Sequence, residues 1–342
     1  MHRISAIRLF PLLFLFAGCG HDGDRPDVSG VTVPEIHIER FDRAFFDLDS
    51  NHIREGLRGL DQEYPDFTGD FVANILGAGP LGDTSVLAFE AARQFLISYL
   101  PIRDSLKTKY DRLDWLEKEL RQGFRYIKYY FPRYPLPRNV VTFIGPMDGP
   151  GVAITTNDLA IGLQSYAGKN FSFYLTGKGQ DMYPGYISRR FEPEYITPNC
   201  VSAMAEDIFP DSSEGRPLIE EMVVKGRYWW LLGKLMPDAP DSIVTGYTDA
   251  QLTWCAGREA DIWGFFLQNT DLYTIDPDII KNYIGEGPYT LGMPGRSPGN
   301  IGAWVGRQIV RKYMEGHPKL RPVDLMRVPA RTLFEETKYK PR

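Results

Sequence analysis

The chain has 342 residues, with 39 basic and 44 acidic side chains and a formal charge of −5. An acidic balance argues against sequence-independent nucleic-acid binding, which needs clustered cations. Three cysteines make no disulfide framework, while 6 Trp, 19 Tyr and 20 Phe promise a sizeable aromatic core.

Residues 1–18 read as a secretory signal. Arg3 and Arg8 lie in a basic n-region, Leu9–Leu15 is almost wholly apolar, and Phe16-Ala17-Gly18 leads into Cys19. The apolar run is too short for a stable spanning helix. Its ending is similar to a bacterial lipobox, with one departure: Phe16 stands where leucine is usual, and Leu15 is one place further back. Cys19 is therefore the expected lipidated first residue of the mature protein. Removing the signal leaves 37 basic against 44 acidic residues, a charge of −7.

Residues 19–34 are polar and rich in Gly, Pro and Asp, and predict a flexible linker that holds the domain off the membrane. Asp22, Asp24 and Asp27 read as part of that solvated spacer. Order is expected from Glu35. Ile36-His37-Ile38 alternates like a strand, and Phe41, Ala44, Phe45 and Leu48 follow at helical spacing. A helix is predicted over Ser85–Leu100 with Ser85 as N-cap. Leu106, Tyr110, Leu113, Leu116, Leu120, Phe124 and Ile127 predict one long helix over Asp104–Tyr130.

The middle of the chain changes character. Asn139–Ile144, Val152–Ile154 and Leu159–Leu163 are β-rich and separated by Gly and Pro, which predicts a three-stranded meander. Helices are expected again over Pro198–Ile208, Pro217–Met236, Thr248–Gln268, Pro277–Ile284 and Pro298–Met314. Thr248 with Gln251 spells a capping box. Ser297 before Pro298 reads as an N-cap followed by proline at the first helical position. Gly302 and Gly306 sit four apart inside the last long helix. Each costs about 1 kcal/mol relative to alanine, so a close neighbouring backbone is expected. No repeat and no inter-domain linker is visible, so residues 35–342 read as a single domain. The expected class is α+β, predominantly helical, a small antiparallel sheet packed with many helices.

The search for chemistry is mostly negative. The folded body holds only His37, His52 and His317; His2 leaves with the signal and His21 lies in the linker. No two are placed for an H-E-x-x-H zinc site, and solvated or hydrogen-bonded roles are expected. No G-x-S-x-G elbow appears. Gly162 to Gly168-Lys169-Asn170 fails as a phosphate loop: five residues separate the glycines, and Asn170 replaces the Ser or Thr. Cys200 and Cys255 read as separate buried thiols. Glu259 shares a helix face with Leu252, Cys255, Ile262 and Phe266, so it is expected to point inward, as a general acid, a metal ligand or, the favoured reading, half of a structural ion pair, for instance with an arginine.

Several blocks carry a family resemblance. They are Gly246-Tyr247-Thr248 with Gln251, Trp254-Cys255, Glu259 and Ile262-Trp263; then Leu272-Tyr273 and Gly287-Pro288; then Ser297-Pro298-Gly299-Asn300-Ile301-Gly302-Ala303-Trp304; and the end Lys338-Tyr339-Lys340-Pro341-Arg342. With Phe41 and Ala160-Ile161-Gly162-Leu163, the chain resembles the GldB family of gliding-motility-associated lipoproteins of the Bacteroidetes. That family is distantly similar to gluzincin-type zinc peptidases. The likeness implies a zincin-like arrangement without a metal site. Pro198–Asp207 occupies the place of the metal helix but holds no histidine, and Lys225 stands where the glutamate ligand would be.

These readings converge on an expectation. The protein is a cell-envelope lipoprotein, lipidated at Cys19, with a non-catalytic partner-binding or scaffold role in gliding motility or associated envelope machinery. No catalytic, cofactor-binding or metal residues are expected, and no cofactor. The membrane, through the lipid, and envelope proteins of the gliding machinery are the expected partners. The outer membrane is favoured over the inner, and its periplasmic face over the surface. The alternatives are a metal-independent hydrolase using an acid pair, as glycosidases do, or a degenerate peptidase that binds peptides.

Overall fold

The computed structural model describes residues 25–82 and 86–341. The signal segment, Cys19, His21 and the expected Ser85 cap lie outside the described residues. Four strands are present: β1 (Ile38–Glu39), β2 (Asn139–Phe143), β3 (Val152–Ile154) and β4 (Asp158–Gly162). Before β2 come α1 (Phe41–Phe46), α2 (Ile53–Glu63), α3 (Thr68–Asp70), α4 (Val86–Lys107) and α5 (Asp114–Tyr130). After β4 come α6 (Gly177–Met182), α7 (Gly185–Ser188), α8 (Ile196–Ile208), α9 (Leu218–Leu235), α10 (Asp241–Thr245) and α11 (Asp249–Ala256). The chain closes with α12 (Glu259–Asn269), α13 (Pro277–Ile284), α14 (Ile301–Gly316), α15 (Pro322–Leu325) and α16 (Ala330–Thr337). The class is α+β and predominantly helical, as the pattern predicts.

The sheet corrects one expectation. Its order is β1-β2-β4-β3, with β1 and β4 both parallel to β2 and only β3–β4 antiparallel. It is a mixed sheet, not an antiparallel meander. Burial explains the order. Every residue of β4 is buried, whereas β3 is half-exposed throughout, and a continuous apolar run suits an interior strand. The loop from Ile144 to Gly151 carries the chain past the β4 position, and a tight hairpin returns it. In that hairpin the Thr155 Oγ1 accepts from the Asp158 N–H at 3.1 Å.

Two expected long helices are broken. Between α4 and α5 the chain leaves the helix, although Leu106, Tyr110, Leu113 and Leu116 are all buried. The Arg43 guanidinium takes the Asp111 carbonyl at 2.8 Å and its carboxylate at 3.1 Å, and the Tyr110 hydroxyl donates to the Tyr166 carbonyl at 2.6 Å. These long-range bonds replace the helical ones, while the turn keeps the apolar side chains on the same side. The second break, at Gly257-Arg258, separates α11 from α12. The Thr248–Gln251 capping box forms as expected. The Ser297–Pro298 cap does not: α14 starts after Asn300, which is left-handed at φ 56° and makes no side-chain cap. Pro298 and Gly299 are held outside the helix, their carbonyls accepting from the Thr290 and Tyr247 hydroxyls at 2.7 and 2.8 Å.

The expected spacer is also shorter than residues 19–34. Arg25 forms a bidentate pair with Asp238 at 2.5 and 2.7 Å and reaches the Tyr126 hydroxyl at 2.9 Å. Val28 and Ile36 are only 4% and 3% exposed, and Val31 and Val33 pack against the same core. Polar composition predicted a loose segment, but a few apolar side chains and one arginine tie it down. One contiguous cluster of buried residues runs from Val28 to Tyr339.

The two glycines of α14 do mark a backbone contact. A Cβ on Gly306 would overlap the Met222 carbonyl of α9, and one on Gly226 would overlap the Gly306 carbonyl carbon and the Arg307 nitrogen. Gly302 sits against Met222, Ile284 and the Tyr283 carbonyl. Gly264, inside α12, has open space at its Cβ position. Gly306→Ala and Gly226→Ala are therefore expected to destabilise by about 3 kcal/mol or more. Gly264→Ala should stabilise by about 0.5–1 kcal/mol. Urea unfolding midpoints moving in the same direction for Gly306→Ala and Gly264→Ala would contradict this packing.

Candidate functional site

Helices α8 and α9 wall a cleft. One side is α8, through Pro198, Asn199, Ser202 and Glu206; the other is α9, through Lys225, Tyr228, Trp229 and Leu232. Arg190, Tyr195, Gly246 and Asn300 close its ends, and its volume is about 430 Å³. A second hollow of about 430 Å³ shares Phe191, Asn199, Ser202 and Glu206, and reaches Gly151 and Val152 beside the edge strand β3. A third, about 450 Å³, shares Asp211 and Lys225 and extends to Glu221 and Ile280. The first two hollows share the α8 wall, and the third adjoins the first through Asp211 and Lys225.

Local sequence explains how its walls are set. Gly246 is left-handed (φ 69°) and ends α10, so the chain turns beneath Arg190. The Arg189 guanidinium donates to the Gly246 carbonyl at 2.6 Å. Tyr247 is buried, its ring edge-on to Trp229 at 5.3 Å and its hydroxyl on Gly299. Burial raises the Tyr247 pKa well above the ordinary tyrosine range. The block 246–248 thus braces the Ser297–Asn300 block and the α9 wall together.

The charges in the cleft meet each other. Lys225 Nζ lies 2.7 Å from Asp211 Oδ2. Arg190 grips Glu286 with two contacts at 3.1 and 3.0 Å. The Asn199 amide donates to the Tyr166 hydroxyl at 2.9 Å, and Ser202 to Glu206 at 3.4 Å. Burial pushes Asp211 up, but Lys225 and the Ser213 hydroxyl and N–H outweigh it, so its pKa is lowered. Glu221 goes the other way: burial raises it, against the Gly215 N–H and Lys225. Two acids beside one lysine are therefore driven apart in proton affinity.

Lys225 is thus held at an aspartate. Among the described residues no group of three or more His, Cys, Asp or Glu is placed to hold a metal ion. His37 lies 3.7 Å from Glu35, His52 bonds Asp49 at 2.8 Å, and His317 bonds the Tyr313 carbonyl at 2.9 Å. Cys200 and Cys255 are buried free thiols, and burial pushes Cys255 up to about 12. Glu259 begins α12 half-buried, and its carboxylate accepts from the Tyr339 hydroxyl rather than from the expected arginine. Asp211, Arg190, Glu286 and Glu206 carried no local signal, because ion pairs such as Arg190–Glu286 join residues 96 apart.

The model of the family described as gliding motility protein GldB matches residues 21–341. The chain belongs to the GldB family. No curated protein and no solved structure matches it. Family membership makes this a gliding-motility-associated protein of lipoprotein type. No helix among the described residues is long and apolar enough to cross a membrane.

The donor chemistry of the cleft gives a direct expectation. A transition metal entering beside Lys225 meets a cation before any histidine. Gently dialysed protein should carry far less than one equivalent of metal, and chelator should leave its Tm unchanged. Stoichiometric zinc, lost together with stability on chelation, would overturn that reading.

Proposed function

We propose that this protein is an envelope lipoprotein, anchored through Cys19, that holds a segment of a partner protein in the α8–α9 cleft without acting on it chemically. The observation that carries this is the pairing of the cleft's two cations, Lys225 and Arg190. With Lys225 on Asp211 and Arg190 on Glu286, the walls of the cleft are the rings of Tyr195, Tyr228 and Trp229 and the Asn199 amide, with Glu206 as an exposed carboxylate. Aromatic walls with a few fixed polar groups suit recognition of a peptide segment. The edge strand β3 beside the cleft offers a backbone ladder to an extended chain. The family supplies the setting, gliding and the envelope machinery linked to it. The periplasmic face of the outer membrane is the location this reading favours.

One observation favours a second reading. Asp211 and Glu221 flank Lys225 with pKa values displaced in opposite directions, which is the condition under which two carboxylates divide acid and base roles. A metal-independent hydrolase would use that pair.

The two readings separate cleanly. In a strain lacking the chromosomal copy, Ser202→Trp fills the cleft and should abolish complementation at normal protein abundance. Glu221→Gln and Asp211→Asn should complement. The reverse pattern, loss with Glu221→Gln and tolerance of Ser202→Trp, would establish the hydrolase reading instead.

The anchor has its own test. Cys19→Ala should leave the protein in the soluble or uncleaved fraction. Intact-mass measurement showing a mature N-terminus elsewhere, without acyl chains, would remove the lipid-anchored reading.

A further inference from the structure

A second groove, of about 570 Å³, lies on the outer side of α14. Residues from three of the sequence blocks singled out above meet there, Glu259, Trp304 and Lys340, joined by Arg307 and Arg311 further along α14. Arg307 is 8% exposed and bonds Asp241 at 2.6 Å. Arg311 and Lys340 are exposed at the rim and hold no ion pair among the described residues. Lys340 is placed by Tyr339, whose ring meets Trp263 edge-on at 5.2 Å and whose hydroxyl bonds Glu259.

This groove lies next to the point where the chain leaves for its anchor. Arg25 is clamped on Asp238, three residues before Asp241, which lines the groove. Cys19 is only six residues before Arg25, and six extended residues reach about 20 Å. A compact domain of this size is about 50 Å across. A tether shorter than half the domain leaves only the face around Arg25 within reach of the bilayer.

Resting on the anchoring of Cys19 proposed above, we infer that the α14 groove is a membrane-docking surface. Arg311 and Lys340 meet the anionic phosphates of lipid headgroups, and the Arg25–Asp238 clamp fixes the orientation. Each cation close to an anionic leaflet is worth about fivefold in binding, so the two together favour this orientation by about 25-fold over an undirected tether.

The test uses the acylated full chain in vesicles that carry a photoreactive lipid, either rich in phosphatidylglycerol or of phosphatidylcholine alone. Labelling should concentrate on residues 308–315 and 338–341, and should fall about tenfold or more in phosphatidylcholine, in high salt, or in the Arg311→Gln/Lys340→Gln protein. Arg25→Ala should spread the labels while acylation and folding persist. Even labelling of the surface by an acylated protein would overturn this inference and leave the anchor standing. An unmodified Cys19 would instead remove the anchor on which it rests. Labelling abolished by millimolar inorganic phosphate in low salt would show a small-anion pocket and overturn the docking surface.

Discussion

The contact between Gly226 of α9 and Gly306 of α14 is the constraint on which the C-terminal half depends. Two helix backbones touch there with no side chain between them. Helices normally pack 8–10 Å apart, with side chains filling the gap. Closer approach removes that padding and fixes axial register, because only a glycine pair admits it. Each glycine is followed by an arginine, Arg227 and Arg307, both nearly buried. Arg227 donates to the Val328 carbonyl at 2.7 Å, and Arg307 to Asp241 at 2.6 Å. The helix pair therefore sends one guanidinium towards α15–α16 and another to α10. Register set at the glycines is passed to the elements that close both the cleft and the groove.

Burying those arginines is costly, and the structure shows where the cost falls. Desolvation lowers the Arg227 pKa, and the Nε atoms of both Arg227 and Arg307 have no hydrogen-bond partner. Unsatisfied buried donors cost about 1–3 kcal/mol each. Such groups persist when neighbouring packing outweighs them, and here the glycine contact and the apolar seam of Met222, Val223, Val305 and Ile309, all 0–1% exposed, supply that packing. The α8–α9 cleft shows the opposite economy. Its cations, Lys225 and Arg190, are partly exposed and paired, so they shape the cleft at little cost but also contribute little stability.

Legibility from sequence follows the range of the interaction. The Thr248–Gln251 box is a contact three residues long, and it formed as read. The spacing of Gly302 and Gly306 gave away a close backbone because glycine in a helix interior needs a local reason. The break at 108–113 was invisible, since Arg43 and Tyr166 impose it from far along the chain while the apolar period continues through it. Strand order failed for a related reason: three short apolar runs do not say which will lie inside. The segment from Arg25 to Pro34 looked like a spacer because composition averages over it, whereas Arg25 and Val28 act singly. The cleft had only Lys225 as a readable landmark in the sequence. Its partners Asp211, Arg190 and Glu286 become neighbours only in the folded chain.

The two surfaces are joined by one rigid element. Asn300, at the start of α14, borders the cleft, and Arg311, three turns on, borders the groove. Eleven residues of helix separate them by about 16 Å. If, as inferred, the groove along the outer side of α14 lies on headgroups, the helix sets the α8–α9 cleft apart from the docked patch by about that length. The short tether and the glycine contact act together in this. Under the proposed anchoring the tether would limit which face meets the membrane, while the contact prevents α14 from sliding against α9, so the spacing of cleft and groove is a fixed property of the fold.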